Sequence, residues 1–261
     1  MRLIVLGCSG SGPGPGSPAS GYLVEAGAAR FALDLGNGTL GALQRHLDPW
    51  ALDAVVFSHL HPDHCSDFAS LVVHRRYHPA PPVDPTTHRL PVFAPVEAPD
   101  RFAAAYAPSA EERAATDLTD VFTFHPLADG GSFSIGDAVV RAATVDHPCE
   151  AYALRVEAGG RSLVYSGDTG PCDGLIELAR GADVLLCEAS WPHVTDQWDA
   201  PPPGVHLSGV QAGEHATAAG VGGLLLTHVP AWCDPDALLA EAKSTFDGPV
   251  ELVAPDAAYA V

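Results

Sequence analysis

Along the chain, short and almost wholly apolar runs alternate with looser segments of helical spacing. Arg2–Leu6, Tyr22–Glu25, Phe31–Asp34 and Ala54–Phe57 read as strands, because runs of this length between turn residues suit a buried sheet. A helix is predicted near Leu40–His46. Beyond Phe57, Ser66 or Asp67 is placed to cap a helix that turns Phe68, Leu71 and Val72 inward. The Pro-rich stretch 78–91 reads as a loop, and the Ala-rich stretch 98–120 as helical. Four strands then follow closely, at Val121–Phe124, Val139–Thr144, Ala151–Val156 and Ser162–Tyr165. The last third alternates helix and strand, with buried strands at Val184–Cys187 and Gly223–Thr227. Ser208 and Gln211 form a capping box, and Asp234 with Pro235 opens the final helix. Neither a repeat nor a linker interrupts the pattern, so residues 1–261 are expected to form a single domain.

Composition narrows the function. Thirteen basic and 32 acidic residues give a formal net charge of −19, and Lys243 is the sole lysine. Such a field opposes polynucleotide, whose binding needs clustered cations to displace counterions. The six cysteines are scattered with no Cys-x-x-Cys, which argues against a disulfide framework or a thiolate zinc knuckle. No apolar stretch approaches the ~20 residues of a membrane span, and the start, MRLIVLG, lacks a signal-peptide pattern. A cytoplasmic protein without membrane contact is expected. The glycine-rich loop GCSGSGPGPGSPASG fits neither a dinucleotide nor a P-loop pattern, and its prolines remove N–H groups that a phosphate cradle would use.

Chemistry gathers just past the strand Ala54–Phe57, where SHLHPDHCSD places His59, His61, Asp63 and His64 within six positions. Imidazole and carboxylate together suit zinc and similar divalent ions. Ligands at i, i+2 and at i+4, i+5 of a short turn aim in two directions, so one motif can feed two adjacent ions. Further donors follow strand ends elsewhere: His147 in TVDHP, Asp168 in YSGDTG and His228 in LLLTH. Any one of them alone could be an ordinary turn residue; the repeated context is what points to a shared site.

HLHPDH, His147, the Gly-Asp-Thr-Gly around Asp168 and the late His228 together resemble the metallo-β-lactamase superfamily over essentially the whole chain. The resemblance implies an α/β, four-layer αββα sandwich with metals at the ends of its two sheets. It implies that His59, His61 and His147 hold one divalent ion, that Asp63, His64 and His228 hold a second, and that Asp168 bridges them. Zinc is the first choice of metal, with manganese or iron as alternatives.

Two further stretches resemble the ribonuclease Z-like phosphodiesterases. LLCEASW carries Glu188, like that group's HEAT loop, and VHLSG carries His206, like its HST loop. There the Glu and His act on the leaving group. Here Cys187 stands for the HEAT loop's His, Ser190 for its Thr, and Leu207 interrupts the His-Ser pair. His206, Glu188 and Asp63 are therefore the catalytic candidates. Only residues 148–167 separate His147 from Asp168, too few for a tRNA-binding arm. The closest resemblance is to cyclic-AMP phosphodiesterases of the atypical class II type, which share the GCSGS, SPASGY, RRYHP and GDTG stretches. That resemblance implies hydrolysis of a small phosphodiester, 3′,5′-cyclic AMP to its 5′-monophosphate first, with tRNA disfavoured and a homodimer expected.

Rival readings are a ribonuclease Z-like tRNA 3′-processing endonuclease, a thioesterase or lactonase using the same metals, and a non-catalytic metal-binding protein. For substrate contacts, Arg76 (or its neighbour Arg75) is a candidate for a phosphate oxygen, and Trp232, with Trp191 and Trp198, for stacking on a base. The segment 192–204 is a candidate lid.

Overall fold

Each predicted strand between turn residues forms, and the apolar runs sort by alternation onto opposite faces of two sheets. The computed structural model describes residues 1–195, 199 and 201–261; Trp198 and part of the 192–204 segment therefore lie outside the described residues. In chain order the strands are β1 (Arg2–Gly7), β2 (Ser9–Gly10), β3 (Gly21–Ala26), β4 (Ala29–Leu35), β5 (Ala54–Val56), β6 (Leu90–Ala94), β7 (Phe122–Pro126) and β8 (Ser132–Ile135). They continue as β9 (Ala138–Thr144), β10 (Tyr152–Ala158), β11 (Arg161–Tyr165), β12 (Val184–Glu188), β13 (Leu224–Thr227), β14 (Val229–Pro230), β15 (Val250–Leu252) and β16 (Ala258–Ala260). One sheet runs β16-β1-β3-β4-β5-β6-β7 and the other β15-β13-β12-β11-β10-β9-β8, with β14 and β2 joined as a small parallel ribbon.

The helices are α1 (Thr39–Leu43), α2 (Pro62–Cys65), α3 (Phe68–Tyr77), α4 (Ala98–Tyr106), α5 (Ala110–Ala115), α6 (Asp173–Ala179), α7 (Gly209–Ala219) and α8 (Pro235–Lys243). Leu3, Val5, Tyr22 and Val24 meet Leu154, Val156 and Leu163 between the sheets. Ile4, Leu6 and Leu23 face the other way, onto Phe68, Leu71 and Phe102 of α3 and α4. Ala153, Val164 and Leu185 face Leu175, Ala212 and Ala242 of α6, α7 and α8. Three apolar interfaces thus separate four layers, helix–sheet–sheet–helix. Burying each large aliphatic side chain contributes about 1.5–3 kcal/mol.

Two tyrosines pin the sheets together where the middle interface meets the site. Tyr22 OH lies 2.6 Å from Thr227 Oγ1, and Tyr165 OH donates to Asp34 Oδ2 at 2.8 Å. Their rings pack with centroids 5.0 Å apart.

Several expectations need correction. Asp67 stands before α3, but its side chain makes no cap; its Oδ2 instead accepts from Leu40 N at 2.8 Å, tying α3 to α1. The stretch 98–120 is not one helix: Pro108 follows the extended Ala107, and α5 starts anew with Ser109 as its cap. The Pro-rich stretch ends earlier than expected, since Leu90 already belongs to β6. The capping box of α7 and the Asp234 cap of α8 form as expected.

Candidate metal centre

The expected ligands come from strand ends that are distant in sequence. His59, His61, Asp63 and His64 follow β5, and Pro62 at the first position of α2 turns Asp63 and His64 back toward the sheets. His147 follows β9, Asp168 follows β11 and His228 follows β13. The structure brings all seven together. His59, His61, His147 and Asp168 form one cluster, and Asp63, His64, Asp168 and His228 a second, with donor atoms within 4.8 Å of one another in each. Asp168 belongs to both.

Within the first cluster, His61 Nδ1 lies 3.0 Å from His59 Nε2 and 3.1 Å from His147 Nε2. Within the second, His64 Nε2 and His228 Nε2 are 3.2 Å apart, and His228 Nε2 is 3.2 Å from Asp63 Oδ2. Asp168 Oδ1 stands 3.1 Å from His64 Nε2, and Asp168 Oδ2 stands 3.4 Å from His228 Nε2 and 3.7 Å from His59 Nε2.

Partners behind the rings fix which nitrogen faces inward. His147 Nδ1 donates to Val205 O at 2.9 Å, and His64 Nδ1 donates to Asp34 Oδ2 at 2.7 Å. In both rings Nδ1 is thus committed behind the site, and Nε2 is the nitrogen that faces a cluster. Asp34 is fully buried with a left-handed φ of 58°, and it also accepts from Ser58 N and Ser58 Oγ at 2.7 Å each. Ser58 Oγ in turn lies 3.1 Å from His59 Nδ1. Sequence reading missed Asp34 as a site residue, although a carboxylate inside the buried run FALDL was the available cue.

His228 also has a left-handed backbone, φ 57°, a conformation that costs a non-glycine residue about 1–3 kcal/mol. The β2–β14 ribbon holds it there. Gly10 passes so close that a Cβ on it would lie 2.3 Å from His228 O.

Charge in the site is unbalanced toward acid. Burial holds His59, His61 and His147 below the usual imidazole range, so they are neutral and able to ligate. Burial also pulls on His64, but Asp168 and Asp34 outweigh it and hold that ring well above the usual value. Burial would raise Asp63 and Asp168. Instead, the adjacent His228 ring and the charge of His64 pull Asp63 down, while His228, His64 and His59 pull Asp168 down. Both stay ionised.

This donor set fits divalent ions. In a tetrahedral zinc site with ligands at about 2.0–2.1 Å, neighbouring donors sit about 3.3 Å apart, close to the nitrogen–nitrogen spacings of both clusters. Asp168 Oδ1 is buried without a well-formed hydrogen bond among the described residues, and cations satisfy such an oxygen. The clusters are suited to binding metal ions.

Beside them, Glu188 and His206 meet as expected. His206 Nδ1 donates to Glu188 Oε2 at 3.0 Å. Glu188 is fully buried and also accepts from Thr169 N at 2.5 Å and Ser190 Oγ at 2.6 Å. Burial lowers His206, but Glu188 outweighs it and lifts the ring to about 9. Its side chain is 12% exposed, so it reaches the open side of the site. Trp191 packs edge-on against it at 5.2 Å between ring centroids.

The remaining expectations fare differently. Arg76 is committed elsewhere: Asp120 takes its guanidinium through both carboxylate oxygens at 2.8 and 2.9 Å, Asp117 O accepts as well, and Tyr106 lies under it. Its neighbour Arg75 is buried over Trp50 and donates to His88 O at 2.6 Å. Trp232 is 74% exposed on the turn after β14.

Comparison with known proteins places the fold in a family. Residues 22–229 match the family described as the beta-lactamase superfamily domain. The protein ML1173 of Mycobacterium leprae, described as uncharacterized, is 49% identical over 97% of this chain and 86% of its own length. A ribonuclease Z of Mycobacterium bovis is 31% identical over 88% of this chain and 87% of its own. The crystal structure of the metallo-beta-lactamase fold protein YhfI of Bacillus subtilis superposes with a TM-score of 0.82, at 26% identity, over 99% of both chains. The chain belongs to the beta-lactamase superfamily, in the branch that holds ribonuclease Z.

Proposed function

We propose that this protein is a binuclear metal-dependent phosphodiesterase that opens a small cyclic nucleotide, 3′,5′-cyclic AMP first, to the 5′-monophosphate. The observation that carries the reading is the Glu188–His206 pair at 3.0 Å, set beside the two His/Asp clusters. An ester hydrolysis with a good leaving group needs no such pair, whereas a departing 3′-alkoxide does.

His59, His61 and His147 would hold one ion, Asp63, His64 and His228 the other, and Asp168 both. Divalent ions held there, zinc by preference, would supply positive charge toward a water and the phosphoryl oxygens. The chain's own groups do the rest. Asp63, ionised and 13% exposed, accepts a hydrogen bond from an entering water and orients it. Glu188, anchored by Thr169 N and Ser190, holds His206 by its Nδ1 and leaves Nε2 to meet the substrate. A proton held at that Nε2 passes to the 3′-oxygen as it leaves. Assistance of this kind is worth about 10²–10⁴ in rate.

The test is a panel of cyclic AMP, bis(p-nitrophenyl) phosphate and a lactone on zinc- and manganese-loaded protein, with products identified. Formation of 5′-AMP supports the reading; turnover of the lactone alone would replace it with a lactonase. The relative named ribonuclease Z favours a second reading, a tRNA 3′-processing endonuclease. Against it stand the charge of −19 and the filling of residues 148–167 by β10 and β11.

A further inference from the structure

Ser190 stands between the two halves of the site. It is fully buried, and its Oγ lies 2.7 Å from His228 Nδ1, 2.6 Å from Glu188 Oε2 and 2.9 Å from His228 O. A hydroxyl has one proton to give and two lone pairs with which to accept. His228 turns Nε2 to the second cluster, so its Nδ1 carries the proton and donates to Ser190 Oγ. The Ser190 proton then goes to one acceptor. Glu188 Oε2 is the nearer, and a bond to a carboxylate is the stronger.

We infer that Ser190 is a positioning residue whose single hydroxyl locks His228 in its ligating tautomer and the Glu188 carboxylate in register with His206. The hydrogen-bond order is His228 Nδ1–H to Ser190 Oγ, then Ser190 Oγ–H to Glu188 Oε2, with His206 Nδ1–H meeting the same oxygen from the other side. Ser190 touches no substrate. Its effect is to make ion retention and leaving-group protonation depend on one group. Losing a partner that orients a metal ligand typically costs about 10–100-fold in affinity or activity. The inference rests on the ligand and acid roles proposed above.

Ser190→Ala and Ser190→Thr separate the hydroxyl from mere volume, since threonine keeps the oxygen and is the residue of the loop that this stretch resembles. Three measurements are made on the full chain: zinc affinity of the metal-free protein against a chromophoric chelator, kcat and KM on cyclic AMP, and the His228 Nδ1–H resonance in ¹⁵N-histidine spectra. Ser190→Ala is expected to weaken one of two bound zinc ions and to lower kcat, each by about 10–100-fold, with KM unchanged. The Nδ1–H resonance should be lost to exchange, and Ser190→Thr should restore all three. Wild-type zinc affinity and kcat in Ser190→Ala would overturn the inference. So would equal losses in both variants, because packing would then explain them. His206→Ala is the control for the underlying reading: full turnover there removes the acid pair but leaves the zinc arm of the Ser190 test intact.

Discussion

At the scale of single residues, the site depends on groups that hold other groups still. Asp34 is the clearest case, because four donors converge on its two oxygens: Ser58 N, Ser58 Oγ, His64 Nδ1 and Tyr165 OH. Asp34→Asn keeps the shape but turns an amide NH₂ toward donors, leaving at least one buried N–H or O–H unpaired. Each such group costs about 1–3 kcal/mol, so the urea midpoint should fall, and zinc affinity with it, through His64 and through Ser58 to His59. An unchanged midpoint would show that the network is dispensable. His206→Ala makes the opposite prediction, because its ring is no expected ligand. Zinc content by elemental analysis should stay at wild type while kcat on cyclic AMP drops about 10²–10⁴-fold.

At the scale of elements, what matters is how strand ends are aimed. The ribbon of β2 and β14 is two residues long, yet it holds His228 in its left-handed turn. Gly10→Ala would push a methyl against His228 O at 2.3 Å. Since the ribbon adds little to the core, the protein should still fold while zinc stoichiometry falls. A full complement of zinc would show that His228 tolerates the shift. The same scale explains what sequence could reveal. Runs such as RLIVL and AVVF announce strands because both faces are buried, and HLHPDH announces ligands because donor chemistry is dense there. β6 was hidden because its residues follow a Pro-rich stretch, and β8 because its short run SFSI buries little. Asp67 looked like a helix cap, but a through-space partner, Leu40 N, took its carboxylate. Asp34 stands out in FALDL as a carboxylate in an apolar run. The partners that give it and Ser190 their roles, Tyr165 and His228, are distant in sequence, and no local pattern names them.

At the scale of the whole molecule, each cluster joins the two sheets. The donors after β5 come from one sheet, and His147, Asp168 and His228 from ends of the other. Without cations, this interface must hold Asp34, Asp63 and Asp168 beside one another in a chain already at −19. Bound divalent ions would offset that repulsion and cross-link the sheets, so they should stabilise the fold as any ligand of the native state does. At a free concentration 1,000 times the dissociation constant, that stabilisation is about 4 kcal/mol. For a chain of this size, about 2–4 °C accompanies each kcal/mol. Removing metal with a chelator should therefore lower Tm by about 8–16 °C, and restoring zinc should reverse the change. Asp168→Ala, which removes the shared carboxylate, should start near the chelated Tm and respond little to either treatment. His206→Ala should follow the wild type. A Tm indifferent to chelation in all three proteins would mean that the sheets meet without help from ions, and the binuclear centre would go with it.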